Sequence, residues 1–332
     1  MKSYGGLFER ITSCENLEQA MWRAARGKQD RGPVQRFLGE AAQELTLLQE
    51  ELAAGTYRPR PYTQFRIRDP KPRTISCADF RDRVVHHAIC DVIGPLLERR
   101  MISDSYACRV GKGTHRAVLQ AQRHCRRFRY YLKMDVRKFF ESVDHEILLG
   151  LLCRLFRERR LCDLLETIVR HPVPNSVAGK GLPIGNLTSQ WFANLYLDGL
   201  DHTVKEQWRF RGYIRYMDDI VLWADDKADL WWALSSVRAW LETQRRLALK
   251  DTATRMAPTK DGLAFLGLRV HPGALRLQRQ RYLRLKRLIA RREKELESAL
   301  ISTEQFIGSL RAAAGILSFL GLKGVVTSRV DL

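Results

Sequence analysis

Three carboxylates have the type and spacing to do chemistry together: Asp135, Asp218 and Asp219. Asp135 sits near the end of the apolar run 131–136. Asp218 and Asp219 fall between the short apolar runs 213–216 and 220–223, the pattern of a tight hairpin with carboxylates at its tip. Such hard oxygen donors suit Mg²⁺, which binds through one or two carboxylates plus substrate phosphates. Two divalent ions about 3.5–4 Å apart can activate an attacking hydroxyl and hold a leaving oxygen in phosphoryl transfer. Clustered like charges raise one another's pKa unless a cation is present, so a purely structural use of the triad carries a cost. An Asp-Asp pair taken alone reads as a solvated turn, and the flanking apolar runs shift that reading only modestly.

The elements around these residues follow from periodicity. Residues 1–55 read as helical, with Leu17, Met21 and Ala24, then Leu38, Ala41, Leu45, Leu48 and Leu52, at helical spacing and a charged connection over 26–33. Pro59, Pro61, Pro70 and Pro72 punctuate 56–80, where Tyr62, Phe65 and Ile67 suggest a hairpin. Helices are expected over 81–100, from an N-cap at Asp144 through 146–170, after the Gly- and Pro-containing loop 173–186 to about Leu200, and over 227–246. Residues 263–270 read as one final strand, and the chain from about Gln278 onward as basic helix. There is no GxGxxG fingerprint and no Walker loop. The expected fold class is α+β, with a small antiparallel sheet holding the carboxylates.

Composition narrows the partners. Among 332 residues, 57 Lys and Arg face 37 Asp and Glu, a formal charge of +20 that favours a polyanion. From Arg276 to Lys294 lie Arg276, Arg279, Arg281, Arg284, Lys286, Arg287, Arg291, Arg292 and Lys294, with no acid before Glu293. Tyr282, Leu283, Leu285, Leu288 and Ile289 interleave, which predicts a helix with an apolar inward stripe and a cationic outer face. No apolar run reaches the roughly 18 residues of a membrane span, and the start MKSYGGLFER lacks the apolar core of a signal peptide. Seven scattered cysteines without a CxxC pair read as free thiols. The expectation is a cytoplasmic protein without a membrane partner.

Two boxes in order carry a family resemblance. Tyr216-Met217-Asp218-Asp219 is the YMDD box of reverse transcriptases, and Lys133-Met134-Asp135-Val136-Arg137-Lys138-Phe139-Phe140 resembles the motif with their first catalytic aspartate. Lys71-Pro72-Arg73, Phe80 to Val85, Tyr106 to Arg109, Gly111 to His115 and the primer-grip-like Phe265-Leu266-Gly267 extend the likeness to group II intron-like bacterial enzymes over roughly residues 15–290. The most specific stretch is Gly181-Leu182-Pro183-Ile184-Gly185-Asn186-Leu187-Thr188-Ser189-Gln190. Most reverse transcriptases read QGxxxSP there. This chain reads IGxxxSQ, which resembles diversity-generating retroelements, whose enzymes copy a template-repeat RNA into cDNA with mutations at template adenines.

The resemblance implies a right-hand polymerase with fingers, palm and a short helical thumb. Its boundaries would be an N-terminal helical region over 1–55, fingers over 56–130, palm with part of the fingers over 131–262, and primer grip with basic thumb over 263–332. It implies that Asp135 and Asp218 ligate two Mg²⁺ ions, with Mn²⁺ as a substitute. Asp219 supports them, and the backbone of Val136 touches metal and dNTP. Lys71 and Arg73 clamp the triphosphate, although without the resemblance both read as surface charges. Phe140, or alternatively Phe139, is the steric gate, Gly185 lies against the nucleotide, and Lys250 is a candidate general acid. Ile184 replaces a glutamine and so removes a polar readout, which reduces discrimination between right and wrong pairs. Tyr216, Ser189, Gln190, Phe265, Leu266, Gly267, Arg284, Arg287 and Arg291 are expected to contact template and primer. His86, His87 and His115 read as ordinary histidines.

The implied partners are template-repeat RNA, cDNA, dNTPs and a basic oligomeric accessory variability protein. Alternatives within the class are retron, group II intron and defence-associated enzymes. No maturase-like extension, HNH endonuclease or RNase H segment is evident, which argues against a full intron protein. A catalytically dead nucleic-acid-binding scaffold is opposed by the presence of all three aspartates. A membrane-surface protein would explain the charge and none of the motifs.

Overall fold

The computed structural model describes residues 5–67, 72–174 and 176–319, with side chains to residue 311. The chain opens with helices α1 (Leu7–Thr12), α2 (Cys14–Ala25), α3 (Gly32–Gly39) and α4 (Ala41–Ala54), then the hairpin of β1 (Thr63–Ile67) and β2 (Arg73–Cys77). Helix α5 (Phe80–Arg100) follows. The Asp79 carboxylate accepts from the Arg81 N–H at its start, and Val84, Val85, Ala88, Ile89, Val92, Ile93, Leu96 and Leu97 are buried around it. A helix that buries this much apolar surface has to be enclosed. Helices α1, α2, α3 and α10 (Leu187–His202) enclose it.

The middle of the chain supplies α6 (Thr114–Arg127), β3 (Tyr130–Asp135), α7 (Phe139–Ser142), α8 (His145–Phe156) and α9 (Arg159–Val169). After α10 come β4 (Gly212–Tyr216), β5 (Asp219–Ala224), α11 (Lys227–Arg245) and β6 (Arg255–Pro258). The four strands form one antiparallel sheet in the order β4-β5-β3-β6. Alternation along the strands sorts the side chains. Leu132, Met134, Tyr213, Ile220 and Leu222 enter the large core with α5, α8, α10 and α11. Tyr131, Ile214, Val221, Trp223 and Ala257 enter a second core, closed by α6 and by a small sheet of β7 (Leu263–Phe265), β8 (Leu268–Val270) and β9 (Leu275–Leu277). The carboxylate-bearing sheet is therefore covered on both faces. Helices α12 (Arg279–Glu297) and α13 (Thr303–Phe319) complete the described chain.

The structure revises four expectations. The helix over 146–170 is two, because Arg157 takes a left-handed φ of 50° and ends α8. Residues 263–270 are a hairpin, turned by Leu266 and Gly267 at φ 49° and 81°. The edge strand β6 and helix α6 went unrecognised. The apolar stripe of α12 is not inward-facing: Tyr282, Leu283 and Leu288 are 52%, 39% and 46% exposed, and no residue of the helix is buried.

Candidate active site

Strand pairing fixes the carboxylates. Asp135, the last residue of β3, is paired across the sheet with Asp219, the first of β5, and Tyr216 of β4 pairs with Asp219 from the other side. Asp218 occupies the two-residue turn between β4 and β5, with Met217 before it at φ 58°. A non-glycine residue in that region costs about 1–2 kcal/mol and persists only where its surroundings enforce it. Arg215 enforces it. Its guanidinium is fully buried and donates to the Met217 carbonyl at 3.1 Å, to both oxygens of Asp201 at 2.7 and 2.6 Å, to Asn194 Oδ1 at 3.1 Å and to Ser105 Oγ at 3.2 Å. The Tyr213 hydroxyl donates to Asp201 as well, at 2.6 Å.

A second brace joins the strand ends. The Val136 N–H donates to the Asp218 carbonyl at 3.3 Å, and the Lys250 N–H to the Asp135 carbonyl at 2.8 Å. Residues 135, 136, 218, 219 and the backbone of 250 thus form one rim. Burial first, then Asp135 and Asp219, push the Asp218 carboxyl up to about 6, against its own backbone N–H and the field of Arg73. Lys133 reaches Asp219 Oδ1 at 3.1 Å and the Ala264 carbonyl of β7 at 3.2 Å. With Asp219 turned to Lys133, no three acidic, His or Cys side chains among the described residues gather into a ready-made cation site. The donor chemistry still fits a divalent metal, because Mg²⁺ needs only one or two carboxylates when a triphosphate supplies the rest. Burial and the fields of Asp135 and Asp219 raise the Asp218 carboxyl, and such an ion would favour its charged form.

Arg73 begins β2 and is exposed; Lys71 lies outside the described residues. The β2 edge meets the 181–190 stretch through the Ser76 N–H, which donates to the Ile184 carbonyl at 2.9 Å. Gly185, at φ 122°, lies so close that a Cβ there would stand 2.9 Å from Ile75 Cγ2 and 3.2 Å from the Ser76 carbonyl. Asn186 donates to the Tyr62 hydroxyl at 3.1 Å. Phe140 is half-buried, Phe139 is in the core, and the Leu182 N–H donates to the Phe140 carbonyl at 2.7 Å. Ser189 is buried and Gln190 half-buried in α10. The Tyr216 hydroxyl hydrogen-bonds Thr114 Oγ1 at 3.1 Å.

Farther along, Phe265 is buried, and the Arg281 side chain lies over Gly267, donating to the Leu266 carbonyl at 2.8 Å. Arg284, Arg287 and Arg291 are exposed on α12, and Arg291 pairs with Glu295 at 2.7 Å. Sequence reasoning missed Arg215, Asp201, Asn194 and Lys133. The available signal for the first was an arginine in an otherwise apolar strand, which requires a buried carboxylate partner.

The profile of the family described as reverse transcriptase (RNA-dependent DNA polymerase) matches residues 67–270, which include all three carboxylates. Protein YkfC of Escherichia coli K12 is 26% identical over 272 residues, covering 69% of this chain and 71% of that protein. The group II intron-encoded protein LtrA of Lactococcus lactis is 22% identical over 173 residues, which is 50% of this chain and 29% of LtrA. Among solved structures, apo telomerase of Candida tropicalis superposes at a TM-score of 0.50 with 9% identity, over 67% of this chain and 49% of that one. The fold is that of a right-hand polymerase. Because the family profile spans more than half of its length, the chain belongs to the reverse transcriptases, the RNA-dependent DNA polymerases.

Proposed function

We propose that the protein copies RNA into DNA by metal-assisted nucleotidyl transfer at the rim of Asp135, Asp218 and Asp219. The observation that carries the reading is the pairing of Asp135 with Asp219 beside Asp218 at a braced turn. Asp135 and Asp218 hold two divalent cations, with Mg²⁺ the expected metal, and Asp219 supports them while Lys133 limits its reach. When bound, such cations supply Lewis acidity for the attack of a primer hydroxyl and for the leaving pyrophosphate. Arg73, together with Lys71, meets the triphosphate, and the Val136 backbone approaches it. Phe140 closes the space that a 2′-hydroxyl would need. Lys250, whose backbone N–H donates to the Asp135 carbonyl, is the candidate general acid for the leaving group. Tyr216, Ser189, Gln190 and the turn of Leu266 and Gly267 meet template and primer. Arg284, Arg287 and Arg291 track the backbone without reading sequence.

The finer reading is a diversity-generating enzyme that mutates cDNA at template adenines, working with template-repeat RNA and an accessory variability protein. Ile184 in the IGxxxSQ stretch supports it, since its backbone is fixed against β2 while its side chain can offer no hydrogen bond. A group II intron-type role is the second reading, favoured by the likeness to an intron-encoded protein. The test is extension of a primer on an RNA template with Mg²⁺, followed by sequencing of the cDNA. Errors concentrated at template adenines, and reduced in Ile184→Gln, support the diversity reading. Faithful cDNA supports the second. No synthesis, even with accessory protein and cognate RNA, contradicts both.

A further inference from the structure

A cavity of about 220 Å³ lies between α5, α8, α10 and α11, elements that carry none of the three rim carboxylates. Arg100, Arg154 and Arg245 line it above an apolar floor of Leu151, Leu155 and Leu195. Arg245 is only 9% exposed. Its Nε donates to the Tyr196 carbonyl at 2.5 Å and its Nη1 to the Gln244 carbonyl at 2.7 Å, while its Nη2 makes no hydrogen bond among the described residues. Gly199 makes room for that nitrogen: a Cβ there would stand 2.8 Å from Nη2 and 3.2 Å from Trp240.

The charges around this space do not balance. Asp198, buried beside it, is held by Arg100 at 2.6 Å and has His202 at 3.6 Å. Arg154 donates to the Gly150 carbonyl, and neither Arg154 nor Arg245 joins an ion pair among the described residues. Arg154 and Arg245 therefore face the cavity without a carboxylate partner among the described residues. Burial first, with the fields of Arg154 and Arg100, lowers the pKa of Arg245 against the raising fields of Tyr196 and Asp198. The cavity also continues outward. Arg154 and Arg245 border an open groove along the seam of α8 and α11, with Thr243 and Arg246 beside it. Arg246 is bound to Asp144 and the neighbouring Glu146 to Arg170, so neither changes the imbalance at the cavity.

We propose that this cavity is a binding site for a phosphate group, clamped by Arg100, Arg154 and Arg245. Forked guanidinium donors match phosphate oxygens, and an apolar floor strengthens each contact by excluding water. The space is below the roughly 300–1,000 Å³ of sites that hold whole drug-sized ligands, which favours a small anionic group. That phosphate comes either as the free anion or as the 5′ end of an RNA whose chain leaves along the groove. The inference does not rest on the polymerase assignment.

The test is thermal melting of the full chain against inorganic phosphate, with chloride at matched ionic strength as the reference. The companion measurement compares binding of a short 5′-phosphorylated RNA with its 5′-hydroxyl twin. Arg154→Gln removes one clamp from an exposed position, and Gly199→Ala pushes a methyl group toward Arg245. The expected result is a saturable rise in melting temperature with phosphate that disappears in both variants, while their melting in chloride and their primer extension stay near wild type. A preference of about tenfold or more for the phosphorylated RNA, lost in Arg154→Gln, identifies the RNA end as the source. Equal binding of the two RNAs, with the phosphate response intact, identifies the free anion. An unsaturable response, or one of equal size in both variants, overturns the site.

Discussion

The carboxylate hairpin and the basic helix α12 fix charge in opposite ways. In the hairpin, one fully buried arginine donates to Asp201, Asn194, Ser105 and the turn carbonyl of Met217, so Asp218 is positioned by packed core. In α12 no residue is buried, and arginines such as Arg284 and Arg287 stand on an exposed surface. Transfer chemistry needs reacting groups held to a fraction of an ångström. Attraction to a phosphate backbone needs only charge near a surface, and works while the partner slides. The comparison predicts that damage at the hairpin appears as lost stability and activity, and damage at α12 as lost affinity alone.

The largest stability effect should come from Arg215→Leu. Leaving Asp201 buried without its partner costs about 3–5 kcal/mol, read as a lower urea midpoint, and extension activity falls with it. If the variant unfolds at the wild-type midpoint, the hairpin is not held from beneath. Gly185→Val should cost about 1–3 kcal/mol, because it combines φ 122° with a collision against Ile75 and Ser76. The Ile184 loop should loosen from β2 at the same time, measured as faster amide exchange at Ser76.

A third prediction concerns pH. The Asp218 carboxyl lies near 6 in the folded, metal-free protein, above its ordinary 3.8. Its contribution to stability is therefore fully present below about pH 4 and is lost as pH rises through 6, where three neighbouring carboxylates are left charged. Mg²⁺ should raise the melting temperature at pH 7.5 and do so much less at pH 5.5, and chelation should reverse the gain. A metal effect independent of pH would remove Asp218 from the proposed ligand set. The smallest stability effect belongs to α12. Arg284→Gln with Arg287→Gln should leave stability within about 0.5 kcal/mol, yet reduce the slope of log affinity for RNA–DNA duplex against log salt by about 1 per charge. An unchanged slope would show that α12 does not face the duplex.

The same contrast explains what the sequence made legible. The three aspartates and the β4-β5 hairpin were readable because apolar runs bracket them. The N-cap at Asp144 was readable too, and its carboxylate accepts from the Glu146 and Ile147 N–H groups. Strand β6 was not, since Arg255-Met256-Ala257-Pro258 lacks strand residues and takes its place by pairing with β3 at the sheet edge. The break at Arg157 and the turn at Leu266 depend on left-handed residues that carry no glycine signal. Arg215 was passed over within the apolar run 213–216, because its partner Asp201 lies on a different element, helix α10. The stripe on α12 was real as a pattern, but Tyr282, Leu283 and Leu288 on it stay exposed among the described residues.

The central claim is that Asp135, Asp218 and Asp219 act together in nucleotide transfer. Single-turnover incorporation of one dNTP on an RNA template, by wild type and by Asp218→Asn of matched melting temperature, tests it most directly. Loss of the Asp218 carboxylate should lower incorporation on the order of 10³-fold or more, with RNA binding unchanged. Incorporation by Asp218→Asn within about tenfold of wild type would contradict it.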